Sequence, residues 1–384
     1  MKYDIHPEKG YINRGNLYRI KEMMRRAEAG DRITIGFLGG SITQGAVSEY
    51  HSNCYAHLVY EWFVQKFPKS AFTYANAGIG GTTSYFGVAR VDRDLMVYHP
   101  DLVFIEFSVN DDNNLFFKET YEGLVRHVYS NALQPAVALI HNIMYDHGTT
   151  AQEIHSQIGQ HYELPCVAMQ PTIYERVKAG EIPNREITPD DLHPNALGHS
   201  LVASVVISML DEIYAQLSEE EEPSAFNRKL PEALTQNRYE NTYRIQNGVH
   251  VPFCDRLVAA CVREEGFEVD ETPQRLVLET QRNGWQARKK GDRIHFELEA
   301  ECIGIQYIKT VHKPAPIAKV TVDGDSEHAV ILDANFEEDW GDCLYLQPLE
   351  IAGGKGMHTL DIEVIESHEK DAHPFYLVSV LASL

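Results

Sequence analysis

The stretch Ile33–Gly45, ITIGFLGGSITQG, places a serine directly after a short apolar run. The run Ile33–Leu38 is typical of a β-strand that is buried on both faces of a parallel sheet. In such sheets ligands bind in the crevice beyond the carboxyl ends of the strands, which is where Ser41 would lie. A serine that only caps the following helix would have the same local sequence. Ser41 is therefore a candidate nucleophile whose assignment depends on partners elsewhere in the chain.

Strands and helices alternate on both sides of this stretch. The apolar pattern predicts helices at Asn16–Ala29, around Tyr55–Phe63 and at Asn195–Leu217, and further strands at Phe72–Asn76, Leu102–Ser108, Val137–Ile143 and Cys166–Gln170. Alternation of this kind predicts an α/β domain, in which helices cover both faces of a parallel sheet. We assign residues 1–217 to this domain.

The pattern changes in the second half of the chain, where apolar residues recur at every second position. Arg293–Ala300 and Leu360–Val364 both alternate in this way, and Asp323-Gly324 and the segment 353–356, GGKG, supply turns. We predict an all-β sandwich, jelly-roll-like and with seven to nine strands, over residues 249–384. Residues 218–248 begin with the acidic run SEEEEP and lack clear periodicity, so we interpret them as a surface connector.

The charge of the chain limits the partners that it can have. It carries 34 Lys and Arg against 56 Asp and Glu, a formal charge of −22, which repels phosphate backbones and anionic lipids. The first residues lack the apolar stretch of a signal peptide, and no run reaches the roughly 18 apolar residues of a membrane span. The six cysteines show neither a CxxC pair nor zinc-ligand spacing, which favours free buried thiols. We expect a cytoplasmic protein without nucleic acid or membrane partners, and the sequence leaves open whether it is a homo-oligomer.

A second motif, Asp190-Asp191-Leu192-His193, precedes the last predicted helix of the first domain. With this spacing an aspartate can bind one imidazole nitrogen while the other nitrogen faces a serine. The carboxylate then selects the tautomer of His193 and stabilises the imidazolium that forms when the ring takes the serine proton. We predict that Ser41, His193 and Asp190 form a catalytic triad and that Asp191 points elsewhere.

Two further stretches follow predicted strands and can supply hydrogen-bond donors. Asn76–Thr83, NAGIGGTT, is rich in glycine, and Ser108–Asp111 reads SVND. Glycines let backbone N–H groups approach a developing negative charge, and an asparagine amide can donate a further hydrogen bond. We predict an oxyanion hole made by the N–H groups of Ser41 and Gly81 and the side chain of Asn110. A phosphate-binding loop is the alternative, but the last glycine of G-x-G-x-x-G and a Walker lysine are both missing.

In this order the blocks resemble the SGNH, or GDSL-type, hydrolase superfamily, whose fold is a flavodoxin-like three-layer α/β/α sandwich. The resemblance covers about residues 30–217. The family's blocks are matched at the positions that carry the chemistry: Gly39-Gly40-Ser41, Gly81, Asn110, and Asp190 with His193. Gly40 stands where the family usually has aspartate, and Ser108 where it usually has glycine. Because both departures lie beside the chemistry, they bear on the subfamily and the substrate more than on the mechanism.

More narrowly, the whole chain resembles carbohydrate esterase family 17, mannan acetylesterases of gut bacteria in which a β-sandwich like carbohydrate-binding module family 35 follows the SGNH domain. The form GGSIT and the domain order agree with that family. The resemblance implies a serine esterase that removes acetyl groups from the 2-position of mannose in manno-oligosaccharides, with no metal or organic cofactor. Two alternatives stay open: a short-chain lipase or thioesterase on the same scaffold, and a sugar-binding protein whose hydrolase domain has decayed.

Aromatic side chains of the second domain are candidate platforms for sugar stacking, because aromatic rings pack against the apolar faces of pyranoses. Trp285, Trp340, Phe336 and Tyr345 qualify by residue type, and we favour the two tryptophans. Glu337–Asp342, EEDWGD, is typical of an exposed loop, which makes Trp340 the stronger candidate. The same acidic loop is compatible with calcium, but it lacks EF-hand spacing, so no metal ligand is predicted.

Overall fold

The computed structural model describes residues 2–224, 229–247, 261–272 and 274–384. The chain forms two compact units, Met1–Glu240 and Asn241–Leu384. The predicted start of the sandwich at residue 249 lies outside the described residues. The strand Thr242–Ile245, within the predicted connector, already pairs with the last strand of the second unit. The second domain therefore includes Thr242–Ile245 and begins before residue 249, where the alternating pattern predicted its start.

The first unit contains a six-stranded sheet and helices of very different lengths. Its strands are β1 (Tyr11–Asn13), β2 (Arg32–Gly39), β3 (Ala71–Gly78), β4 (Leu102–Glu106), β5 (Ala136–His141) and β6 (Cys166–Ala168). Its α-helices are α1 (Tyr18–Ala29), α2 (Ser41–Gln44), α3 (Tyr55–Lys66), α4 (Ser84–Asp94), α5 (Leu115–Tyr129), α6 (Gln152–His161), α7 (Glu175–Lys178), α8 (Asn184–Ile187) and α9 (Ala196–Ala215). Short 3-10 turns lie at Pro7–Gly10, His51–Asn53 and Met96–Tyr98, and a π-turn at Gln170–Tyr174.

The strand order of this sheet is β1-β6-β5-β4-β2-β3. Strands β2 to β6 are parallel, as predicted, and every residue of β4, β5 and β6 is buried. The edge strand β1 runs antiparallel to β6 and makes the sheet mixed. Three residues are too short to show a period, so the sequence did not reveal β1. Because β2 lies between β3 and β4, with Gly39 opposite both Gly78 and Glu106, the loops after these three strands meet at one edge.

The helices cover the sheet with apolar faces where periodicity predicted them. In α1 the residues Met23, Met24 and Ala27 are buried, and the helix ends at Gly30, whose φ of 95° suits glycine. The Asn195 side chain caps α9 by accepting a hydrogen bond from the N–H of Gly198. Among the described helices α9 is, by length and composition, apolar enough to cross a membrane, so the prediction that the chain has no candidate span was wrong in this respect. More than half of its apolar stretch is buried, as in a core helix.

The second unit consists of two antiparallel sheets, which confirms the predicted all-β class, but its eleven described strands exceed the seven to nine that were predicted. Its described strands are β7 (Thr242–Ile245), β8 (Cys261–Glu265), β9 (Glu268–Val269), β10 (Trp285–Ala287), β11 (Arg293–Ala300), β12 (Cys302–Lys309), β13 (Ile317–Val322), β14 (Val330–Asp333), β15 (Cys343–Leu349), β16 (Gly356–Glu366) and β17 (Phe375–Ser383). One sheet has the order β15-β12-β17-β10-β9, with β7 also paired to β17, and the other β14-β13-β16-β11-β8. The alternating apolar side chains of β11 and β16 face the core of the unit. In β11 the residues Ile294, Phe296 and Leu298 are at most 1% exposed.

Candidate active site

The side chains of Ser41, His193 and Asp190 form a hydrogen-bonded chain at the carboxyl end of β2. The distance from Ser41 Oγ to His193 Nε2 is 2.8 Å, and that from His193 Nδ1 to Asp190 Oδ2 is 2.6 Å. Ser41 is 8% exposed, whereas the side chains of His193 and Asp190 are 23% and 46% exposed. The serine can therefore donate its proton to an imidazole that an aspartate orients, in a site that is open to solvent on the aspartate side.

Asp190 is fixed by the turn on which it lies. Its Oδ1 accepts hydrogen bonds from the N–H groups of His193 at 2.7 Å and Leu192 at 3.1 Å, and from the Thr188 hydroxyl at 3.2 Å. Desolvation opposes ionisation, but the hydrogen bonds from the ring and backbone of His193 outweigh it and hold the pKa of Asp190 below its ordinary value. The charged carboxylate keeps a proton on Nδ1 of His193, which leaves Nε2 to accept from Ser41.

Asp191 points away from the triad, as predicted. Its carboxylate accepts a hydrogen bond from the Arg185 guanidinium at 2.7 Å and another from the Asn184 amide. Its carbonyl accepts the N–H of Tyr145 at 2.7 Å. The φ of Asp191 is 70°, in the left-handed region that Asp and Asn tolerate better than most residues. Asp191 therefore shapes the turn that presents Asp190 and His193 without facing the imidazole.

Ser41 begins α2 immediately after two glycines that have no room for a side chain. A Cβ on Gly39 would lie 2.2 Å from Thr43 Oγ1, and a Cβ on Gly40 would lie 2.1 Å from Asn110 Oδ1. The space that an aspartate side chain would need at position 40 is thus occupied by the amide of Asn110. Gly40 allows that amide to approach the residue next to the nucleophile.

One of the predicted oxyanion donors, Gly81, lies on the glycine-rich loop after β3. A Cβ on Gly80 would lie 3.6 Å from the Cβ of Ser41, so this loop packs against the nucleophile. The N–H of Gly80 is engaged by Gln44 Oε1 at 2.7 Å, whereas Gly81, with a φ of 68°, follows it. Within the described residues, the N–H groups of Ser41 and Gly81 and the Nδ2 of Asn110 donate to no other protein group. These three donors are available to a negatively charged oxygen.

Side chains that the sequence analysis did not single out hold the loop in place. Asn76 donates from Nδ2 to the carbonyl of Thr43 at 2.7 Å and accepts the N–H of Gly78 at 2.8 Å through Oδ1. Arg90 is 1% exposed and donates to the carbonyls of Ala77 at 2.7 Å and Gly39 at 3.2 Å. Arg90 thereby links the carboxyl ends of β2 and β3. A lone arginine within a helix gives no sequence signal for such a role.

A buried pair beneath Asn110 joins the third loop to the second. Asp111 accepts the N–H of Ser84, the first residue of α4, at 2.9 Å, and its other oxygen lies 3.2 Å from His155 Nε2. The His155 ring stacks on Tyr121 at 3.5 Å between ring centroids. Burial raises the pKa of Asp111 and lowers that of His155, which favours a hydrogen bond between uncharged groups over an ion pair. The aspartate of the SVND block therefore braces the loop of Asn110 against the helix that follows Gly81.

The two tryptophans proposed as sugar platforms have opposite environments. Trp285 is 2% exposed, lies edge-to-face with Phe296 at 5.4 Å and donates its indole N–H to Glu264. The prediction of Trp285 as a platform was wrong, because β10 turns its ring into the core. Trp340 is 59% exposed and packs edge-to-face with Phe336 at 5.0 Å. It remains a candidate, whereas Phe336 is itself buried.

Comparisons with known proteins show which family and which solved structures the chain resembles. The model of the GDSL-like Lipase/Acylhydrolase family matches residues 37–201, and no curated protein matches the chain. Among solved structures the chain is similar to a two-domain esterase (CEX) active on acetylated mannans, with 51% identity, 99% of both chains covered and a TM-score of 0.93. The structure of that esterase co-crystallised with mannopentaose gives 51% identity, the same coverage and a TM-score of 0.92. These similarities confirm the predicted superfamily and two-domain architecture. The chain is a carboxylic ester hydrolase that belongs to the GDSL-like lipase/acylhydrolase family.

Proposed function

We propose that this enzyme removes acetyl groups from the 2-position of mannose in acetylated manno-oligosaccharides, as a member of carbohydrate esterase family 17. The observation that carries the proposal is the 51% identity, over 99% of both chains, to a two-domain esterase active on acetylated mannans. Substrate preference in an esterase depends on the loops around a common catalytic centre, and a similarity that covers 99% of both chains spans those loops.

In the first half of the proposed reaction, His193 Nε2 takes the proton of Ser41 as the Oγ attacks the acetyl carbonyl carbon. The carbonyl oxygen becomes an oxyanion, which accepts hydrogen bonds from the N–H groups of Ser41 and Gly81 and from Asn110 Nδ2. Asp190 stabilises the imidazolium through the 2.6 Å contact with Nδ1. The bond between the carbonyl carbon and the sugar oxygen then breaks, and His193 returns the proton to that oxygen. The products are the free mannose hydroxyl and an acetyl-enzyme on Ser41.

In the second half a water molecule replaces the sugar. His193 Nε2 takes one proton from the water as its oxygen attacks the acetyl carbon, and the same three donors hold the second oxyanion. The bond to Ser41 Oγ breaks, the serine regains its proton from His193 and acetate leaves. Every proton passes through one nitrogen, which the turn 190–193 holds 2.8 Å from Ser41 Oγ. The residues present thus account for the reaction without a metal or organic cofactor.

We further propose that the second domain acts as a carbohydrate-binding module like family 35, with Trp340 as a sugar-stacking residue. The exposed indole face supports this role, since stacking on a pyranose needs an accessible aromatic face. Replacing Trp340 with alanine should then weaken the binding of manno-oligosaccharides, measured by calorimetry with a Ser41→Ala enzyme that does not turn the substrate over.

We also propose that the enzyme acts in the cytoplasm on imported oligosaccharides. Cys54, Cys166 and Cys343 are free and buried, which suits a reducing compartment. Burial raises the pKa of the Cys54 and Cys343 thiols to about 11, so that they stay protonated and unreactive. Fractionation of the native host followed by immunoblotting tests the location, and recovery in the medium or at the outer surface would contradict it.

The substrate is tested by proton NMR of acetylated manno-oligosaccharides during digestion. We expect the 2-O-acetyl signals to disappear first, with acetate appearing in equal amount. The Ser41→Ala enzyme is the control, because spontaneous acetyl migration would continue in its presence. Early loss of acetyl signals from other positions, while the 2-O signals persist, would contradict the proposed specificity.

A further inference from the structure

Three loops meet at one end of the second unit and bring together a set of metal-ligating side chains. They connect β12 to β13, β14 to β15 and β16 to β17, and contribute His312, Asp342 and His373 respectively. One ligand atom of each residue lies within 4.8 Å of the ligand atoms of the other two, and all three residues are exposed. The residues are about 30 positions apart in sequence, so they do not form a short sequence motif with the spacing of metal ligands.

Two of these loops are fixed to each other independently of any metal. The N–H of Thr310 donates to the carbonyl of Ala334 at 2.8 Å, and the N–H of Phe336 donates to the carbonyl of Thr310 at 2.9 Å. Asp342 Oδ1 accepts hydrogen bonds from the Thr310 hydroxyl at 2.7 Å and the N–H of Val311 at 3.1 Å. One carboxylate oxygen is thus held beside the loop of His312, and the other remains available as a ligand. Orienting a ligand in advance reduces the entropy lost on binding.

The two histidines differ from the other described histidines of this unit. Their rings lie 5.2 Å apart between centroids, and within the described residues the ring nitrogens of both make no hydrogen bond or ion pair. In each of the others, Nδ1 makes a hydrogen bond with an aspartate carboxylate. The pairs are His295 with Asp361, His328 with Asp325, His358 with Asp323 and His368 with Asp371. Two adjacent imidazoles without such a partner, next to an oriented carboxylate, are what a cation-binding site requires.

We propose that His312, Asp342 and His373 bind a late first-row divalent cation such as Zn²⁺, which ties the three loops together. Two imidazoles and one carboxylate suit zinc, whereas calcium takes oxygen ligands and would leave both rings unused. Tetrahedral zinc with bonds of about 2.0–2.1 Å separates its ligand atoms by about 3.3 Å. The side chains must therefore close by at most about 1.5 Å from their present 4.8 Å limit, which exposed side chains can do by rotation. Water would complete the coordination.

The sequence around Asp342 favours a cation at this end of the unit. The loop Glu337–Asp342 contains four acidic residues and no lysine or arginine. A bound ion would also order the segment that carries Trp340, which lies two positions before Asp342. The site belongs to the second unit and shares no residue with the catalytic triad or the predicted oxyanion hole. The acidic loop by itself is compatible with a calcium site. The proposed zinc site is different, because two of its three ligands come from other loops.

The test is a zinc titration of the full-length enzyme, stripped with a chelator and exchanged into metal-free buffer, against a chromogenic zinc indicator. We expect one site in the wild type. His312→Ala and His373→Ala should each weaken zinc binding at least about tenfold. Removing a residue that only orients a metal ligand already lowers metal affinity by about 10- to 100-fold, and these two residues would be ligands themselves. His328→Ala is the matched control, since its exposed ring pairs with Asp325 in the same unit, and it should bind zinc as the wild type does. Hydrolysis of p-nitrophenyl acetate should be unchanged in all three variants.

A second measurement uses Co²⁺, whose visible absorption reports tetrahedral coordination, on the same proteins. The absorption should appear in the wild type and in His328→Ala and be absent from the His312 and His373 variants. The proposal would be overturned by the absence of a zinc site in the wild type, by equal affinity in the His312 and His373 variants, or by a site that prefers Ca²⁺ to Zn²⁺. Zinc could instead bind at the Asp190–His193 pair, in which case a His193→Ala variant would lose zinc binding. That result would also overturn the proposal.

Discussion

Replacing Asp190 with asparagine tests the triad at the group that orients its base. Asp190 Oδ1 accepts three hydrogen bonds, from two backbone N–H groups and a hydroxyl, so the amide oxygen of the variant must occupy that position. The amide NH₂ is then directed at His193 Nδ1, where Oδ2 now lies at 2.6 Å. Nδ1 becomes an acceptor, and the ring proton moves to Nε2. In that tautomer His193 has no lone pair with which to take the proton of Ser41.

We expect kcat to fall by about 10⁴-fold, as when the corresponding aspartate of a serine protease is changed to asparagine, which is about 5 kcal/mol in the activation barrier. The matched control is Asp191→Asn. Its carboxylate pairs with an Arg185 side chain that is 61% exposed, an interaction of about 0–1 kcal/mol, and asparagine tolerates the φ of 70°. This control should keep kcat within about fivefold.

The assay is steady-state hydrolysis of p-nitrophenyl acetate, with circular dichroism and thermal melting to verify that both variants are folded. A folded Asp190→Asn enzyme that retains a tenth of wild-type kcat would refute the role of Asp190. A larger loss in Asp191→Asn than in Asp190→Asn would show that the neighbouring aspartate orients the histidine.

Four further outcomes follow from the geometry. Ser41→Ala and His193→Ala should each lower kcat by about 10⁴–10⁶-fold with the double variant little worse, because the two act as one unit; additive losses in the kinetics would contradict this. Asn110→Ala should lower kcat about 10²–10³-fold with KM nearly unchanged, since its amide binds charge that develops in the transition state; a change in KM alone would make it a substrate-binding residue. Activity on p-nitrophenyl esters should fall steeply from acetyl to butyryl and longer chains, whereas a preference for octanoyl esters would favour a lipase. Calorimetric melting should show that Trp285→Ala destabilises the protein by about 3–5 kcal/mol while Trp340→Ala changes stability little; equal effects would mean that both rings are core.

The sequence by itself determined the elements and most of the chemistry of the first domain, because both are local properties. Ser41 directly follows a strand that its apolar run reveals, and Asp190 and His193 lie on one turn, where three residues suffice to set their geometry. The same holds for β11, whose alternation predicts both the strand and its buried face. Each of these segments could be recognised without its packing partners, although the role of Ser41 as nucleophile rested on its combination with the second motif.

Only the tertiary structure decided features that depend on residues distant in the chain. Asp111 and His155 are 44 positions apart and meet because α6 packs below the loop of Asn110. The environment of Trp285 depends on the pairing of a three-residue strand, and a shift of one residue would turn its ring to the opposite face. His312, Asp342 and His373 become neighbours only because the strands of two sheets end together. In each case strand order and register bring side chains together, and these are properties of the whole packed fold that no local pattern encodes.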